Sequence, residues 1–242
     1  MRVALISDLH ANELALEAVL ADAAGAGIDQ LVCLGDVATL GPRPREVLAR
    51  LRDLGCPCVM GNHDEFLVDA ALIRSYTQVP VVVDAVDWCR AELGTAELDF
   101  VRSFVTGLDL DLGGGVTLAL FHGSPRSHME DLLATTPAEA LDAMLAGRRG
   151  TVMAGGHTHV QMLRQHRGTL LLNPGSVGMP FREYVGGRAP TLMAHAEYAI
   201  VTARDGAVDV QLRRVPLERA ALRRQATAVA HPIAPMLDAE YA

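Results

Sequence analysis

Residues 2–7 read RVALIS, and the chain continues Asp8-Leu9-His10. A short apolar run that stops at a carboxylate and an imidazole reads as a buried strand reaching a polar sheet edge. The pattern recurs. QLVCLG (30–35) runs into Asp36, and PCVMG (57–61) runs into Asn62, His63 and Asp64. Between them, NELALEAVLADAAGAG (12–27) reads as a helix with Asn12 as N-cap and glycine at its end. RPREVLARLRDLG (43–55) reads as a second helix, opened by prolines and closed by Gly55. Strand–helix–strand–helix–strand at this spacing implies a parallel sheet with right-handed crossovers.

The remainder extends the pattern. Residues 64–105 read as helical, with Thr95 as a capping candidate in TAELDFVRSF. LDLDL (108–112) and VTLALF (116–121) flank a GGG and read as a hairpin. In TPAEALDAMLAG (136–147), Thr136, the following proline and Glu139 form a capping box. TVMAGG and TLLLNPG are further strands, and TLMAHAEYAIVTARDGAVDVQLRRV is two long strands about an Asp-Gly turn. From about Pro216 a helix leads into a proline-containing tail. No repeat, low-complexity run or linker interrupts the chain, so residues 1–242 are expected to form one α/β domain with two sheet regions.

Composition narrows the function. Half of the 242 residues are hydrophobic, enough for a sizeable core. The net charge is -8, and all 21 basic residues are arginine. A chain with that balance lacks the basic face of a nucleic-acid backbone binder, so stable nucleic-acid binding is not expected. Aromatic residues make up only 4%, which also argues against a base-stacking platform. Cys33, Cys56, Cys58 and Cys89 lack zinc-site spacing and read as reduced packing residues. There is no signal-peptide layout and no apolar run near the ~20 residues of a membrane span, so a cytoplasmic protein is expected.

The ends of the apolar runs carry the chemistry. Asp8 and His10, Asp36, Asn62, His122, and His157 with His159 sit just beyond five separate runs. In α/β sheets that carboxyl edge is where ligands bind. Two aspartates, one asparagine and four histidines form a nitrogen and oxygen donor set without thiolate. Seven donors exceed the need of one tetrahedral ion and suit two ions sharing a carboxylate. In AGGHTHV (154–160), His157 and His159 can serve one ion each if the backbone turns, and Gly155 and Gly156 are expected to permit that turn.

DLH, GD, GNHD, HGS and GHTH, in this order, resemble the calcineurin-like metallophosphoesterase superfamily. DLHAN, GPRP, FHGSP and NPGSVGMP are closer to its small bacterial and archaeal phosphodiesterase branch, over residues 3 to about 180. The resemblance implies a sandwich of two mixed β-sheets flanked by helices, in four layers α/β/β/α. It implies one ion on Asp8, His10, Asp36 and His159, and a second on Asp36, Asn62, His122 and His157, with Asp36 as the bridge. His63 would face the leaving group, oriented by Asp64. Related sequences usually carry glycine and an aromatic residue where this chain has Ala38 to Leu40.

Phosphoester hydrolysis fits these residues independently. Two cations roughly 3.5–4 Å apart neutralise the anionic ester and lower the pKa of a bound water from about 15.7 to near 7. The resulting hydroxide, held by both metals, attacks phosphorus in line, and an imidazole such as His63 suits the leaving alkoxide. Two divalent transition-metal ions are therefore expected, manganese first, with iron, zinc, nickel or cobalt admitted. The expected substrate is a small phosphorylated molecule, nucleotide-like among the options, and a phosphodiester is favoured. A phosphomonoesterase, dinucleoside-polyphosphate hydrolase or protein phosphatase would use the same metal set. A non-catalytic protein-binding scaffold predicts eroded ligands, which this chain does not show. Arg126 and Asn12 are candidate substrate contacts, though Asn12 also reads as a helix cap. His128, His166, His195 and His231 read as surface or packing residues.

Overall fold

The computed structural model describes residues 1–186 and 188–242. In chain order the elements begin β1 (Arg2–Ile6), α1 (Glu13–Gly25), β2 (Gln30–Cys33) and α2 (Pro44–Asp53). Four helices follow: α3 (Asn62–Val68), α4 (Leu72–Tyr76), α5 (Pro80–Glu92) and α6 (Thr95–Arg102). Then come β3 (Leu108–Asp111), β4 (Thr117–Leu120), α7 (Ala138–Leu145), β5 (Val152–Ala154), β6 (Met162–His166) and β7 (Thr169–Asn173). The chain closes with β8 (His195–Arg204), β9 (Ala207–Pro216), α8 (Arg219–Ala226) and α9 (Ala234–Glu240).

Two mixed sheets form, in the orders β2-β1-β8-β9 and β3-β4-β5-β7-β6. Strands β1 and β2 are parallel, as are β4, β5 and β7, while β8 runs antiparallel to β1. The period-2 alternation of each strand sorts its residues between cores. Val3 and Leu5 of β1 face the second sheet, where they pack with Leu118, Leu120, Val152, Ala154 and Leu172. Ala4 and Ile6 face the helices and pack with Leu16, Val19, Leu48 and Leu51. On the far side of the second sheet, Leu141, Met144 and Leu145 of α7 cover Ala119, Met153 and Leu171. The layers are therefore helices, sheet, sheet and helix, and both faces of β1 are buried, which is why it reads as an unbroken apolar run.

Several local readings are corrected. PCVMG forms only isolated bridges, Cys33 with Cys58 and Val59 with Val105, because Pro57 offers no N–H and the chain enters α3 at once. The cap of α6 is Gly94, whose N–H donates to Glu97 at 2.9 Å, and Thr95 is the first helical residue. The capping box at Thr136 does not form. Pro137 occupies the cap, and Thr136 Oγ1 instead accepts from the Leu133 N–H at 3.0 Å. Strand β6 escapes a hydrophobic reading because it is an edge strand with exposed polar positions, joined to β7 by a turn at Arg167 (φ 46°) and Gly168 (φ 86°). The tail after α8 is itself helical: Leu237 of α9, with Tyr241 just beyond it, packs against Leu192, Met179 and Leu222. The Asp-Gly turn forms as read, with Asp205 at φ 51° and Gly206 at φ 79°.

Candidate metal centre

Six of the seven expected donors lie at the carboxyl ends of the parallel strands. Asp8 and His10 follow β1, Asp36 follows β2, His122 follows β4, and His157 and His159 follow β5. Asn62 is the first residue of α3. Parallel pairing puts these ends on one side of the sandwich, so residues 149 positions apart in sequence meet. Asp8, His10 and His159 converge as one potential ligand group, and Asp36, His122 and His157 as another.

The backbone reaches this arrangement under strain. Asp8 (φ 54°), His10 (φ 44°), Asp36 (φ 58°), His157 (φ 70°) and His159 (φ 57°) all occupy the left-handed region. Side chains with a branched or bulky Cβ resist that region, whereas Asp and His tolerate it better, and such strain clusters at functional sites. The glycines of AGGHTHV therefore do a different job from the one expected. The histidines make the turn themselves. Gly155 and Gly156 permit close approach, since a Cβ on Gly156 would lie 2.6 Å from Asp8 Oδ2 and one on Gly155 would lie 2.7 Å from the His122 carbonyl oxygen.

Two of the imidazoles are oriented by backbone carbonyls. His122 Nδ1 donates to the Leu34 carbonyl at 2.7 Å, and His159 Nδ1 donates to the Met179 carbonyl at 2.7 Å. Each bond occupies Nδ1 and points Nε2 into the site, where the neutral ring offers its lone pair. His159 Nε2 faces His10 Nε2 at 3.0 Å and Asp8 Oδ1 at 3.4 Å. His122 Nε2 lies 3.2 Å from Asn62 Oδ1 and 3.4 Å from Asp36 Oδ2. Lone pairs and carboxylates aimed at one another in a buried space are what a cation requires, so these residues fit divalent ions. Asp36 Oδ2 is also 4.0 Å from His10 Nε2, which puts the same carboxylate beside both groups.

Electrostatics follow from this crowding. Burial alone would raise Asp36, but the imidazoles of His122 and His63 outweigh it and hold the carboxyl well below its usual value. Burial opposes charge on His122 too, yet Asp36 and Asp8 push it up to about 10. His10 is driven down to about 3 by burial and by its neighbour His159.

The remaining expectations separate. His63 sits beside the donors, buried, with its ring edge-on to those of His10 (5.2 Å between centroids) and Phe66 (5.1 Å). Asp64 does not orient it, which corrects the expected pairing. Both Asp64 oxygens are taken by backbone N–H groups of Asp36, Val37 and Gly61. The partner of His63 Nδ1 is Thr39 Oγ1, at 2.9 Å. Asn12 is committed to structure: it caps α1 through the Ala15 N–H, accepts from Gln225 and donates to the Gly178 carbonyl. The Arg126 guanidinium is engaged by Glu130. Asp131, overlooked in the sequence, lies 3.4 Å from His157 Nε2 and accepts from Tyr184 at 2.5 Å. No motif marks it, because it lies in a loop brought over the site by the fold. Of the other histidines, His128 pairs with Glu65, His166 with Asp142 and His195 with Glu197, and His231 is buried beside Cys89. The four cysteines are free thiols, and all are buried.

The sequence profile of the calcineurin-like phosphoesterase superfamily domain matches residues 1–205. The chain belongs to that superfamily. A Methanocaldococcus jannaschii protein, MJ0912, is 30% identical over 193 residues, which span 74% of this chain and 76% of the relative. The crystal structure of a metallophosphoesterase from Sphaerobacter thermophilus is similar over 100% of this chain and 98% of its own, with a TM-score of 0.76 and 28% identity. PH1004 from Pyrococcus horikoshii shares the fold, with a TM-score of 0.79 at 18% identity, over 98% of this chain and 97% of its own. The calcineurin-like assignment agrees with the two mixed sheets and with the two donor groups, and it makes divalent metal ions the expected cofactor. Among the described residues no helix is long and apolar enough to cross a membrane.

Proposed function

We propose that this chain is a metal-dependent phosphodiesterase, a single domain over residues 1–242 that acts in the cytoplasm on a small, nucleotide-like diester. Asp8, His10, Asp36 and His159 would hold one divalent ion, and Asp36, Asn62, His122 and His157 a second, with Asp36 shared. Manganese is the first candidate, and iron, zinc, nickel and cobalt suit the same donors. The observation that carries this reading is the convergence of two buried donor groups beside one carboxylate. When bound, the ion pair supplies neutralisation of the phosphoryl charge and acidifies a coordinated water.

The chain's own residues supply the rest. The carbonyls of Leu34 and Met179 orient His122 and His159. His63, packed against His10, would face the leaving ester oxygen and offer it a hydrogen bond or proton. A monoester brings close to two negative charges and a diester one. Arg126, beside the HGS motif, is already paired with Glu130, so it is not free to hold a second charge. The rings of Tyr76 and Tyr184 favour an aromatic, nucleotide-like ester group. Tyr76 lies 6.3 Å from His63, Tyr184 is bonded to Asp131, and they are 47% and 37% exposed.

The test is turnover of nitrophenyl diester and monoester by protein reconstituted with manganese, at matched pH. A higher kcat/KM for the diester is expected. A clear preference for the monoester would assign the site to phosphomonoesters instead.

A further inference from the structure

Thr39 stands in the Ala38–Leu40 segment, three residues after Asp36. It is fully buried, and its hydroxyl meets two imidazoles: His63 Nδ1 at 2.9 Å and His10 Nδ1 at 3.4 Å. A hydroxyl has one proton to donate and two lone pairs to accept with. Among the described residues these two nitrogens are the only hydrogen-bond partners of Thr39 Oγ1, so its proton goes to one of them.

Ligation decides which. His10 Nε2 points at His159 Nε2 and Asp8, so a cation there takes the Nε2 lone pair and leaves the His10 proton on Nδ1. That N–H then donates to Thr39 Oγ1. The Thr39 O–H must in turn donate to His63 Nδ1. A neutral imidazole that accepts at Nδ1 carries its proton at Nε2.

We infer that Thr39 is a positioning residue. It links the metal ligand His10 to His63 and holds His63 in the tautomer whose Nε2–H is free to donate to the leaving oxygen. No group changes oxidation state or charge in this arrangement; only the place of one proton is set. The metal centre and the hydrogen-bond donor His63 are thereby coupled through one hydroxyl, in place of the Asp64 contact expected for this role. The inference rests on the phosphoesterase reading for its catalytic consequence, and on the hydrogen bonds alone for the tautomer.

The experiment uses full-length protein loaded with zinc, which is diamagnetic, and labelled with ¹⁵N-histidine. Long-range ¹H–¹⁵N spectra report the tautomer of each ring. The wild type is expected to show His63 as the Nε2–H form. Thr39→Val, which keeps the shape and removes the hydroxyl, is expected to lose that preference, and Thr39→Ser to restore it. On manganese-loaded enzyme, Thr39→Val is expected to lose about 10–100-fold in kcat on diesters with poor leaving groups, and far less on nitrophenyl esters. A His63 Nδ1–H form in the wild type overturns the inference, even if Thr39→Val fails to fold. So does a Thr39→Val spectrum and leaving-group dependence identical to wild type. If the loaded wild type hydrolyses no phosphoester, the proposed function fails, while the spectra still decide the tautomer.

Discussion

Asp64 Oδ2 accepts the backbone N–H of Asp36 at 2.7 Å, so a buried carboxylate holds the loop that carries Asp36, the carboxylate beside both donor groups. Its other oxygen accepts the Val37 N–H at 2.8 Å, and the Gly61 N–H adds a third bond at 2.9 Å. This geometry keeps Asp36 in its left-handed conformation and ties α3 to the β2 edge.

Replacing Asp64 by Asn removes one acceptor and turns an amide N–H toward backbone N–H groups. Asp64→Asn is expected to lower metal affinity about 10–100-fold and to cost roughly 1–3 kcal/mol of stability. Chelator competition and urea unfolding measure the two effects. Unchanged metal affinity would show that the Asp36 loop is held by other contacts.

Asp36 lies beside both donor groups, whereas His159 belongs to one. Asp36→Asn is expected to weaken both sites and His159→Ala chiefly one. Elemental analysis after reconstitution and desalting should find close to no metal in the first variant and about one ion per chain in the second. Two ions retained by Asp36→Asn would remove the bridging assignment.

His63 touches its neighbours through edge-to-face ring contacts and through Thr39, and no donor group includes it. His63→Gln is therefore expected to keep its metals and to lose about 10²–10⁴-fold in turnover, the scale of general acid catalysis. The loss should shrink as the leaving group becomes more acidic. An equal loss for phenolate and nitrophenolate esters would mean that His63 serves binding or metal retention.

His231 is buried against Trp88 and Cys89, and burial pushes it down to about 4 from its usual 6.5. Between those pH values the unfolded chain takes up a proton that the folded chain refuses. Its contribution to stability is full above about pH 6.5 and falls as the pH drops toward 4, by about 3 kcal/mol at most. His231→Phe abolishes this term. Urea midpoints at pH 7 and pH 4.5 should converge more in the variant than in the wild type. Identical pH sensitivity in both would place the titrating group elsewhere.

The parallel strands, the Asp-Gly hairpin and the six residues that converge in the two donor groups were legible in the sequence because each depends on local rules. A run such as RVALIS must be buried on both faces, and a polar residue directly after it must lie at the strand's end. Strand order then carries those ends to one edge. The proline-rich tail and the polar edge strand β6 were not legible, because their structure comes from packing against elements distant in sequence.

The roles around the donors were also decided by tertiary structure. Asp64 is adjacent to His63 in sequence, and the family resemblance implied that it orients the imidazole. On a helix, consecutive residues point to different sides, so Asp64 faces the Asp36 loop and His63 is left to Thr39. The glycines of AGGHTHV looked like hinges, but only the meeting of the β1 and β5 edges shows that they are there for lack of a Cβ. Sequence determines which residues reach the sheet edge, since periodicity and burial act along the chain. Which of them touch is set by how two sheets close on one another, a distance that no local pattern encodes.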